Sequence, residues 1–279
     1  MPELPEVETI VRELDAVAAG RKVDRLDLFT AKIARPNPDR LVGLVQGAVI
    51  EGVERRAKFI VFRLSGGARM VVHLKMTGKF LLGRPLDPGG PPKHVHVSLT
   101  LDDGQVLWYE DIRRFGFLWG LSAEEFDDWL AAAALGPEPF QLSAAEFAER
   151  LGARRGRIKP LLLNQRFLGG LGNIYVDESL FAAGIHPLRP AESLSPAEAR
   201  RLHGEIVRIL DEAIRLRGST VNDYKGITGA GGEYQHRHQV YGKTGEASPE
   251  CGGLLERLVV GGRGTHCCPA CQIGPDSEV

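Results

Sequence analysis

The stretch GGLGNIYVDESLFAAG (residues 169–184) joins a glycine-rich turn to a helical pattern and follows an unusually basic segment. Five arginines and one lysine, Lys159, lie between Arg150 and Arg166, and no acidic residue interrupts them. Backbone N–H groups at a helix start favour phosphate, and here the helix would begin at Asn173. The stretch therefore predicts a phosphate site, although a charged run is also typical of a solvated helix face.

Outward from this stretch, the periodicity of the sequence changes. Short apolar runs separated by turn signals such as SGG and DPGGPP predict a β-sandwich or barrel in the first part of the chain: KFIVFRL, ARMVVHLKM, HVHVSLTL, QVLWYED and FGFLWGL. Helical periods follow in AEEFDDWLAAAAL, SAAEFAERLGA, KPLLLNQ, NIYVDESLFAAG and SPAEARRLHGEIVRILDEAIRLRG. The stretch KGITGAGGEYQH (residues 225–236) predicts a loop, and LLERLVV and THCC around the turn GGRG predict a hairpin.

Composition sets wide limits. A chain of 279 residues with 43% hydrophobic and 25% charged residues predicts two or three domains. A net charge of −1 gives no overall signature of nucleic-acid binding, so such a role must rest on local clusters. No apolar run reaches the roughly 18 residues of a membrane span, and we expect a cytoplasmic protein without a membrane partner.

The four cysteines all lie in the last 30 residues or so, which indicates a local metal site rather than a disulfide framework. Cys251, Cys268 and Cys271 have three quarters of the spacing of a four-cysteine zinc ribbon. Ser248 occupies the fourth place, and a serine hydroxyl is a poor zinc ligand. We predict one structural Zn²⁺ with Cys267 as the leading fourth ligand and His266 as another candidate; the alternative is a hairpin held by packing alone.

The first ten residues, MPELPEVETI, combine a helix start with a possible nucleophile. Apolar residues at helical spacing predict a helix over residues 5–18, and Glu6 suits its first turn. Removal of Met1 would free the secondary amine of Pro2. An α-amino group has a pKa of about 8, against about 10.4 for lysine, so more of it is unprotonated at neutral pH. Pro2 is therefore a candidate nucleophile, and tautomerase-like enzymes also use an amino-terminal proline, as a general base.

Two segments of the strand region contain candidates for contact with bases. Arg113 and Phe115 follow a predicted strand and offer a cation and an aromatic ring that can stack or enter a gap in a duplex. Met76, in HLKMTGK, is a second candidate wedge. The alternative for these residues is ordinary core packing.

Taken together, these segments resemble the formamidopyrimidine-DNA glycosylases nearly from end to end. The resemblance rests on MPELPEVETI, AKF with Lys58, HLKMTGKF, DIRRFGF, IKPLLLNQ, GLGNIYVDESLFAAGIHP, QVYGKTG and GGRGTHCCPACQ. It implies an α+β multidomain protein with an N-terminal β-sandwich catalytic domain (2–130), a helix-two-turn-helix domain (131–224), a lesion-recognition loop (225–239), a zinc-finger-type β-hairpin (240–272) and a tail (273–279). Damaged double-stranded DNA would lie across the cleft between the first domain and the others.

The resemblance also implies a chemistry. Pro2 would attack C1′ of a nucleotide flipped out of the duplex and expel an oxidised purine, after which β,δ-elimination would nick the strand. Glu3 would move a proton to and from the sugar, and Glu6 would position the helix and a water unless it serves only as a cap. The loop from about Ser219 to Tyr234 would fold over the extruded base. Residues expected to contact DNA are Lys58, Asn173, Arg263, Lys159, His73 and His94, with Met76, Arg113 and Phe115 filling the gap.

We expect a monomer associated with the bacterial nucleoid. Two alternatives from other classes remain at this point: an endonuclease VIII-like glycosylase for oxidised pyrimidines, and a non-catalytic DNA-binding protein. The second would need Asn173 and the basic segment but neither Pro2 nor Glu3.

Overall fold

The computed structural model of the chain describes residues 1–86, 89–221, 224–272 and 274, and it divides into two compact units. Unit 1 comprises Met1–Ala134 and Leu216–Glu233, and unit 2 comprises Leu135–Arg215 and Tyr234–Val279. None of the helices in these described ranges has the length and apolar character needed to span a membrane.

Unit 1 is a β-sandwich with helices at its flanks. Among its described residues, one sheet has four strands in the order β1-β7-β8-β6 and the other has five in the order β2-β9-β5-β4-β3. The helices are α1 (Leu4–Ala18), α2 (Pro38–Val45) and α3 (Ala123–Ala133). The strands are β1 (Val23–Leu28), β2 (Ala34–Arg35), β3 (Ile50–Arg56), β4 (Phe59–Leu64), β5 (Arg69–His73), β6 (Gly78–Gly83), β7 (Val95–Leu101), β8 (Val106–Asp111) and β9 (Phe117–Leu121).

The core of unit 1 is shared by α1 and both sheets. Ile10 and Leu14 lie on the buried stripe of α1 and join the same apolar cluster as Phe62, Phe80 and Tyr109 from the strands. This stripe is the helical period that predicts a helix over residues 5–18, and the prediction is confirmed. The predicted strand runs are also confirmed as β4, β5, β7, β8 and β9.

Strands β1, β3 and β6 were not predicted from the sequence. Their segments, VDRLDL, IEGVERR and GKFLLG, contain charged residues or glycines in place of a clean apolar alternation. Pairing with a neighbouring strand decides their conformation: β1 pairs with β7, β3 with β4, and β6 with β8.

Unit 2 combines helices with a C-terminal hairpin. Its helices are α4 (Ala144–Gly152), α5 (Ile158–Leu163), α6 (Asn173–Ala182) and α7 (Pro196–Arg215), and its strands are β10 (Glu256–Val260) and β11 (Arg263–Cys267). α6 contacts α5, α7 and β11, so it is covered on several sides and buries even Asp177 and Glu178. Buried carboxylates need hydrogen-bond donors, and the donors of these two come from other parts of unit 2, as described below.

The domain boundaries expected from the sequence differ from the two units at several points: residues 131–134 belong to unit 1, and the expected loop 225–239 is divided between the units. Residues 216–224, expected in the helical domain, lie with the sandwich as part of the segment Leu216–Glu233. The physical reason is that α1 supplies two carboxylates that hold this segment, as described below. The expected tail (273–279) lies outside the described residues except for Gly274.

Candidate functional site

The start of α1 brings Pro2, Glu3 and Glu6 together in a buried setting. Glu3 is the N-cap residue, and its backbone N–H donates to Glu6 Oε2 at 2.8 Å in a capping box. Glu3 and Glu6 are only 3% and 2% exposed, and Pro2 is buried too. Met1 precedes Pro2, so the Pro2 nitrogen is an amide in the full-length chain. Release of Met1 would convert that nitrogen to a buried secondary amine.

Glu6 also holds the segment Leu216–Glu233. Its other oxygen, Oε1, accepts the N–H of Ser219 at 2.8 Å. Gly218 adopts a left-handed φ of +79°, and a Cβ there would lie 2.5 Å from Glu6 Oε1. Capping is thus one part of the role of Glu6, and the other is a direct connection between the start of α1 and this segment.

Glu13, which sequence reasoning missed, holds the same segment at two further points. Its Oε1 pairs with the Arg217 guanidinium, and its Oε2 accepts the N–H of Ile227 at 2.7 Å. Glu6 and Glu13 are seven residues apart, which places them two turns apart on one face of α1. That spacing of two acids on a helix, facing a glycine-rich segment, is the signal that a sequence reading can use.

Lys58 immediately precedes β4, and His73 is the last residue of the adjacent strand β5. Lys58 is in the two-residue turn between β3 and β4, where Arg56 pairs with Phe59, and it is only 6% exposed. Burial, followed by the charges of Lys75 and Lys58, lowers the pKa of His73 to about 3. His73 Nδ1 accepts the N–H of Lys75 at 2.9 Å, so a neutral His73 offers its other ring nitrogen as an N–H donor.

His94 is half-buried and adopts a φ of +71°. Its carbonyl oxygen accepts the N–H of Asp111 at 3.0 Å, which places it beside the loop that follows β8.

Met76 and Phe115 are exposed to 43% and 47%, which makes the core-packing alternative wrong for both. The guanidinium carbon of Arg113 lies 4.5 Å from the centre of the Phe115 ring, so the cation and the ring form one stacked pair. The structure therefore presents Met76, Arg113 and Phe115 on the surface of unit 1, as a set of wedges requires.

In unit 2, Asn173 begins α6 and contacts the hairpin. Its Nδ2 donates to the carbonyl oxygen of Gly264 at 2.8 Å, next to Arg263, whose side chain is exposed at the start of β11. Asn173 Oδ1 is buried without a hydrogen-bond partner in the described part of the chain. The turn expected to bind phosphate and the hairpin arginine are thus neighbours.

Lys159 requires a correction. Its side chain is fully buried, and Nζ donates to Asp177 Oδ1 at 2.5 Å and to the carbonyl oxygen of Gly264 at 3.2 Å. Asp177 Oδ2 in turn accepts the N–H of His266 at 2.9 Å. The prediction that Lys159 contacts DNA is wrong for this geometry, because a lysine that is satisfied inside the protein cannot reach a phosphate. It fastens the hairpin to α6 instead.

Glu178, the neighbour of Asp177, was also missed. Its carboxylate accepts three successive backbone N–H groups, of Gln239, Val240 and Tyr241, at 2.7 to 3.0 Å. The chain entering the hairpin region is therefore fixed to α6 by a single side chain.

The cysteine cluster contains three thiols and one hydroxyl. The Sγ atoms of Cys251, Cys268 and Cys271 lie within 4.8 Å of one another, and Cys251 and Cys268 are 3.6 Å apart. Sulfurs that share one Zn²⁺ at about 2.3 Å lie about 3.8 Å apart, so these three fit the metal. Ser248 Oγ is 3.5 Å from Cys271 Sγ, beside these thiols. A hydrogen bond from the N–H of Gly253 is the main cause that lowers the pKa of Cys251 to about 7, which favours the thiolate.

Cys267 requires a second correction. It lies outside this cluster, with Sγ 4.0 Å from His186 Nε2, because neighbouring residues at the end of β11 point to opposite faces. Burial raises the pKa of its thiol to about 12, so it stays protonated. The other substitute, His266, directs Nδ1 to Asp177 Oδ2 at 3.2 Å. Neither residue is the fourth ligand.

Three family models match the chain in sequence order. The formamidopyrimidine-DNA glycosylase N-terminal domain matches residues 1–118, and the formamidopyrimidine-DNA glycosylase H2TH domain matches residues 135–225. A zinc finger found in FPG and IleRS matches residues 249–273. The chain belongs to the formamidopyrimidine-DNA glycosylase family.

Individual members of the formamidopyrimidine-DNA glycosylase family align with nearly the whole of this chain. The Geobacillus kaustophilus formamidopyrimidine-DNA glycosylase is 44% identical, with 98% of this chain and all of the relative aligned. The Symbiobacterium thermophilum formamidopyrimidine-DNA glycosylase is also 44% identical, over 99% of this chain and 90% of the relative. A crystal structure of a Lactococcus lactis FPG mutant with a Fapy-dG containing DNA is similar at a TM-score of 0.91, with 37% identity, 98% of this chain and all of that chain covered.

Membership of the formamidopyrimidine-DNA glycosylase family confirms the predicted family, the sandwich with its helix-two-turn-helix domain, and the zinc-finger hairpin. The alternatives of a tautomerase-like enzyme and of a non-catalytic DNA-binding protein are wrong, since relatives that match end to end are named as glycosylases.

Proposed function

We propose that Pro2 and Glu3 carry the chemistry of this protein, which is a bifunctional DNA glycosylase and AP lyase of base excision repair. The observation that carries this proposal is the buried Pro2–Glu3 start of α1, in a chain that matches formamidopyrimidine-DNA glycosylases over nearly its whole length. After release of Met1, the Pro2 amine attacks C1′ of the damaged nucleotide and the base departs, leaving an iminium. The iminium acidifies the C2′ proton, and elimination of the 3′- and then the 5′-phosphate nicks the strand.

Glu3 is the proton carrier of this scheme. It adjoins the nucleophile in sequence, it is 3% exposed, and its backbone is fixed by Glu6. A carboxylate in such a position can deliver a proton to the sugar ring oxygen as the ring opens and take it back later. Glu6 is a positioning residue, because its two oxygens are occupied by the N–H groups of Glu3 and Ser219.

Lys58 in unit 1 is proposed to contact DNA phosphates, and so are Asn173 and Arg263 in unit 2. Cations and amide donors offset the charge that a kinked DNA backbone brings together. His73 adds a neutral N–H donor, since its lowered pKa prevents it from acting as a cation at neutral pH. His94 contacts DNA from the neighbouring loop.

The substrate class is duplex DNA that contains an oxidised purine, such as 8-oxoguanine or a formamidopyrimidine. The DNA in the complex of the Lactococcus lactis protein contains Fapy-dG, which supports this class over oxidised pyrimidines. Met76, Arg113 and Phe115 fill the space that the extruded base leaves, and the loop from Ser219 to Tyr234 covers the base. We also propose that the protein acts as a monomer in the cytoplasm, associated with the nucleoid.

Cleavage of defined lesions tests the proposed function. Duplexes that carry a single 8-oxoguanine, a single formamidopyrimidine or a single oxidised pyrimidine are incubated with the protein under single-turnover conditions. We expect rapid excision of the two purine lesions and a nicked strand with phosphates at both ends. Faster excision of the pyrimidine lesion would favour the endonuclease VIII-like alternative.

One structural Zn²⁺ is held by Cys251, Cys268 and Cys271, and we assign Ser248 as its weak fourth ligand. Ser248 is 3% exposed, and its hydroxyl oxygen accepts the N–H of Glu250 at 3.4 Å and lies 3.5 Å from Cys271 Sγ. A neutral hydroxyl binds zinc more weakly than a thiolate does, so the metal is retained less firmly than in a four-cysteine site.

Metal analysis with two matched variants tests this assignment. The protein as purified is expected to contain one zinc per chain and to lose it to a chelator faster than Ser248→Cys does. Cys267→Ser should keep the zinc content of the unchanged protein, because Cys267 lies outside the cluster. Far less than one zinc in both the unchanged protein and Ser248→Cys would show that the hairpin is held by packing alone.

A further inference from the structure

Asp111, the last residue of β8, has a fully buried carboxylate that accepts hydrogen bonds from several directions. Its Oδ1 accepts the hydroxyl of Thr77 at 2.5 Å and the backbone N–H of Arg113 at 3.2 Å. Its Oδ2 accepts the N–H of Gly116 at 2.8 Å and the hydroxyl of Tyr109 at 3.5 Å. A buried carboxylate is costly unless it is satisfied in this way, so the surrounding backbone is held in a narrow range of positions.

These hydrogen bonds join two separate surface turns. Thr77 directly follows Met76 in the turn between β5 and β6, and its Oγ1 also accepts the N–H of Arg113 at 3.1 Å. Arg113 begins the loop that carries Phe115. Asp111, the Thr77 side chain and the Arg113 backbone N–H are therefore hydrogen-bonded to one another. Met76 precedes Thr77 in sequence, and Phe115 follows Arg113 by two residues.

The far end of the loop is fixed by the same carboxylate. Gly116 follows Phe115, and a Cβ at Gly116 would lie 1.8 Å from the Tyr109 hydroxyl oxygen, so only glycine allows the loop to approach this closely. Between the two anchored ends, Arg114 adopts a left-handed φ of +55°. The loop is thus held at both ends by Asp111, while the Phe115 side chain remains exposed.

We propose that Asp111 and Thr77 are positioning residues that hold Met76, Arg113 and Phe115 together as one preformed wedge. This inference rests on the proposed function, in which those three side chains enter the gap left by the extruded base. Two turns that moved independently would have to be ordered during insertion, whereas a shared buried anchor orders them beforehand. Asp111 itself is buried beneath the loop and acts only through the residues that it holds.

The test compares Thr77→Val with Thr77→Ser. Valine has nearly the shape of threonine but lacks the hydroxyl that links Asp111 to the Met76 turn, and serine keeps that hydroxyl. Hydrogen bonds to charged groups are strong enough that Thr77→Val is expected to slow insertion on the order of tenfold. Insertion is followed as the fluorescence rise of 2-aminopurine placed beside an 8-oxoguanine. Cleavage of a preformed abasic site and the thermal midpoint are measured in parallel, and Asp111→Asn provides a second route to the same contact.

Positioning predicts that Thr77→Val slows the fluorescence phase and the excision of paired 8-oxoguanine together, while abasic-site cleavage changes less and Thr77→Ser resembles the unchanged protein. It also predicts that adding Thr77→Val to Met76→Ala causes little further slowing, because both act on one unit. The proposal is overturned if Thr77→Val and Asp111→Asn leave the fluorescence phase unchanged, if Thr77→Ser is as slow as Thr77→Val, or if the two effects multiply. If Met76→Ala and Phe115→Ala leave the phase unchanged, the wedge itself is wrong.

Discussion

Replacing Lys159 by methionine tests whether this residue is part of the internal framework or of the DNA-binding surface. Both side chains of the Lys159–Asp177 pair are fully buried, and their charged atoms are 2.5 Å apart. Lys159→Met removes the cationic partner of Asp177, whose remaining hydrogen bonds among the described residues are to the N–H and Nδ1 of His266. Removal of one partner of a buried pair costs about 3–5 kcal/mol of unfolding free energy. Adding Asp177→Asn removes the remaining charge and should recover part of that loss.

The assay is urea unfolding followed by circular dichroism at the helix signal. Helices α4–α7 of unit 2 contribute more residues to this signal than α1–α3 of unit 1 do, and all three tryptophans lie in unit 1 and report it separately by fluorescence. DNA affinity is measured across salt concentrations, with Arg263→Ala as the matched control that should lower the salt slope by about 0.9. The reasoning is refuted if Lys159→Met leaves stability unchanged and lowers the salt slope as the control does.

Two further predictions concern the site in unit 1. Glu3→Gln should slow base excision by orders of magnitude while lesion-DNA affinity changes little, and excision at the normal rate in single-turnover kinetics would remove Glu3 from the mechanism. His73 should remain neutral in the free protein from pH 8 to pH 5, because its pKa is about 3, and a His73 imidazole NMR signal, assigned by its loss in His73→Gln, that titrates near pH 6.5 would contradict this. In the unfolded chain, His73 binds a proton near pH 6.5, whereas in the folded protein it does so only near pH 3. The free energy of unfolding should therefore decrease as the pH falls from about 6.5 toward about 3.

The sequence predicts the strongly periodic parts of this fold and fails where tertiary contacts decide. The buried stripe of α1 is visible in the spacing of Ile10 and Leu14, and the apolar run of β4 needs no partner to be recognised. Strand β3, with the sequence IEGVERR, carries three charged residues after its glycine and is a strand because β4 pairs with it. No local pattern contains that information.

The site shows the same division. Surface residues such as Phe115 and Arg263 are where motif spacing places them, because a turn fixes their exposure locally. Lys159 belongs to a basic run in sequence, yet the fold turns it inward to Asp177, which lies 18 residues later. Cys267 lies outside the cysteine cluster because adjacent residues at the end of β11 point to opposite faces, so only one of the two neighbouring cysteines faces the other thiols. Glu13 and Asp111 were missed because several of their partners are backbone N–H groups, such as those of Ile227 and Gly116, which no residue type identifies in a sequence.

Trapping with borohydride tests the central claim most directly, namely that the Pro2 amine forms a covalent bond to the damaged nucleotide. The protein, with Met1 removed, is mixed with a duplex that carries one 8-oxoguanine in the presence of sodium borohydride, and the products are separated under denaturing conditions. The account predicts a stable protein–DNA adduct whose peptide map places the DNA on Pro2. It also predicts that protein retaining additional residues before Pro2 forms no adduct. An adduct on a lysine, or excision of the base with no adduct, would contradict the account.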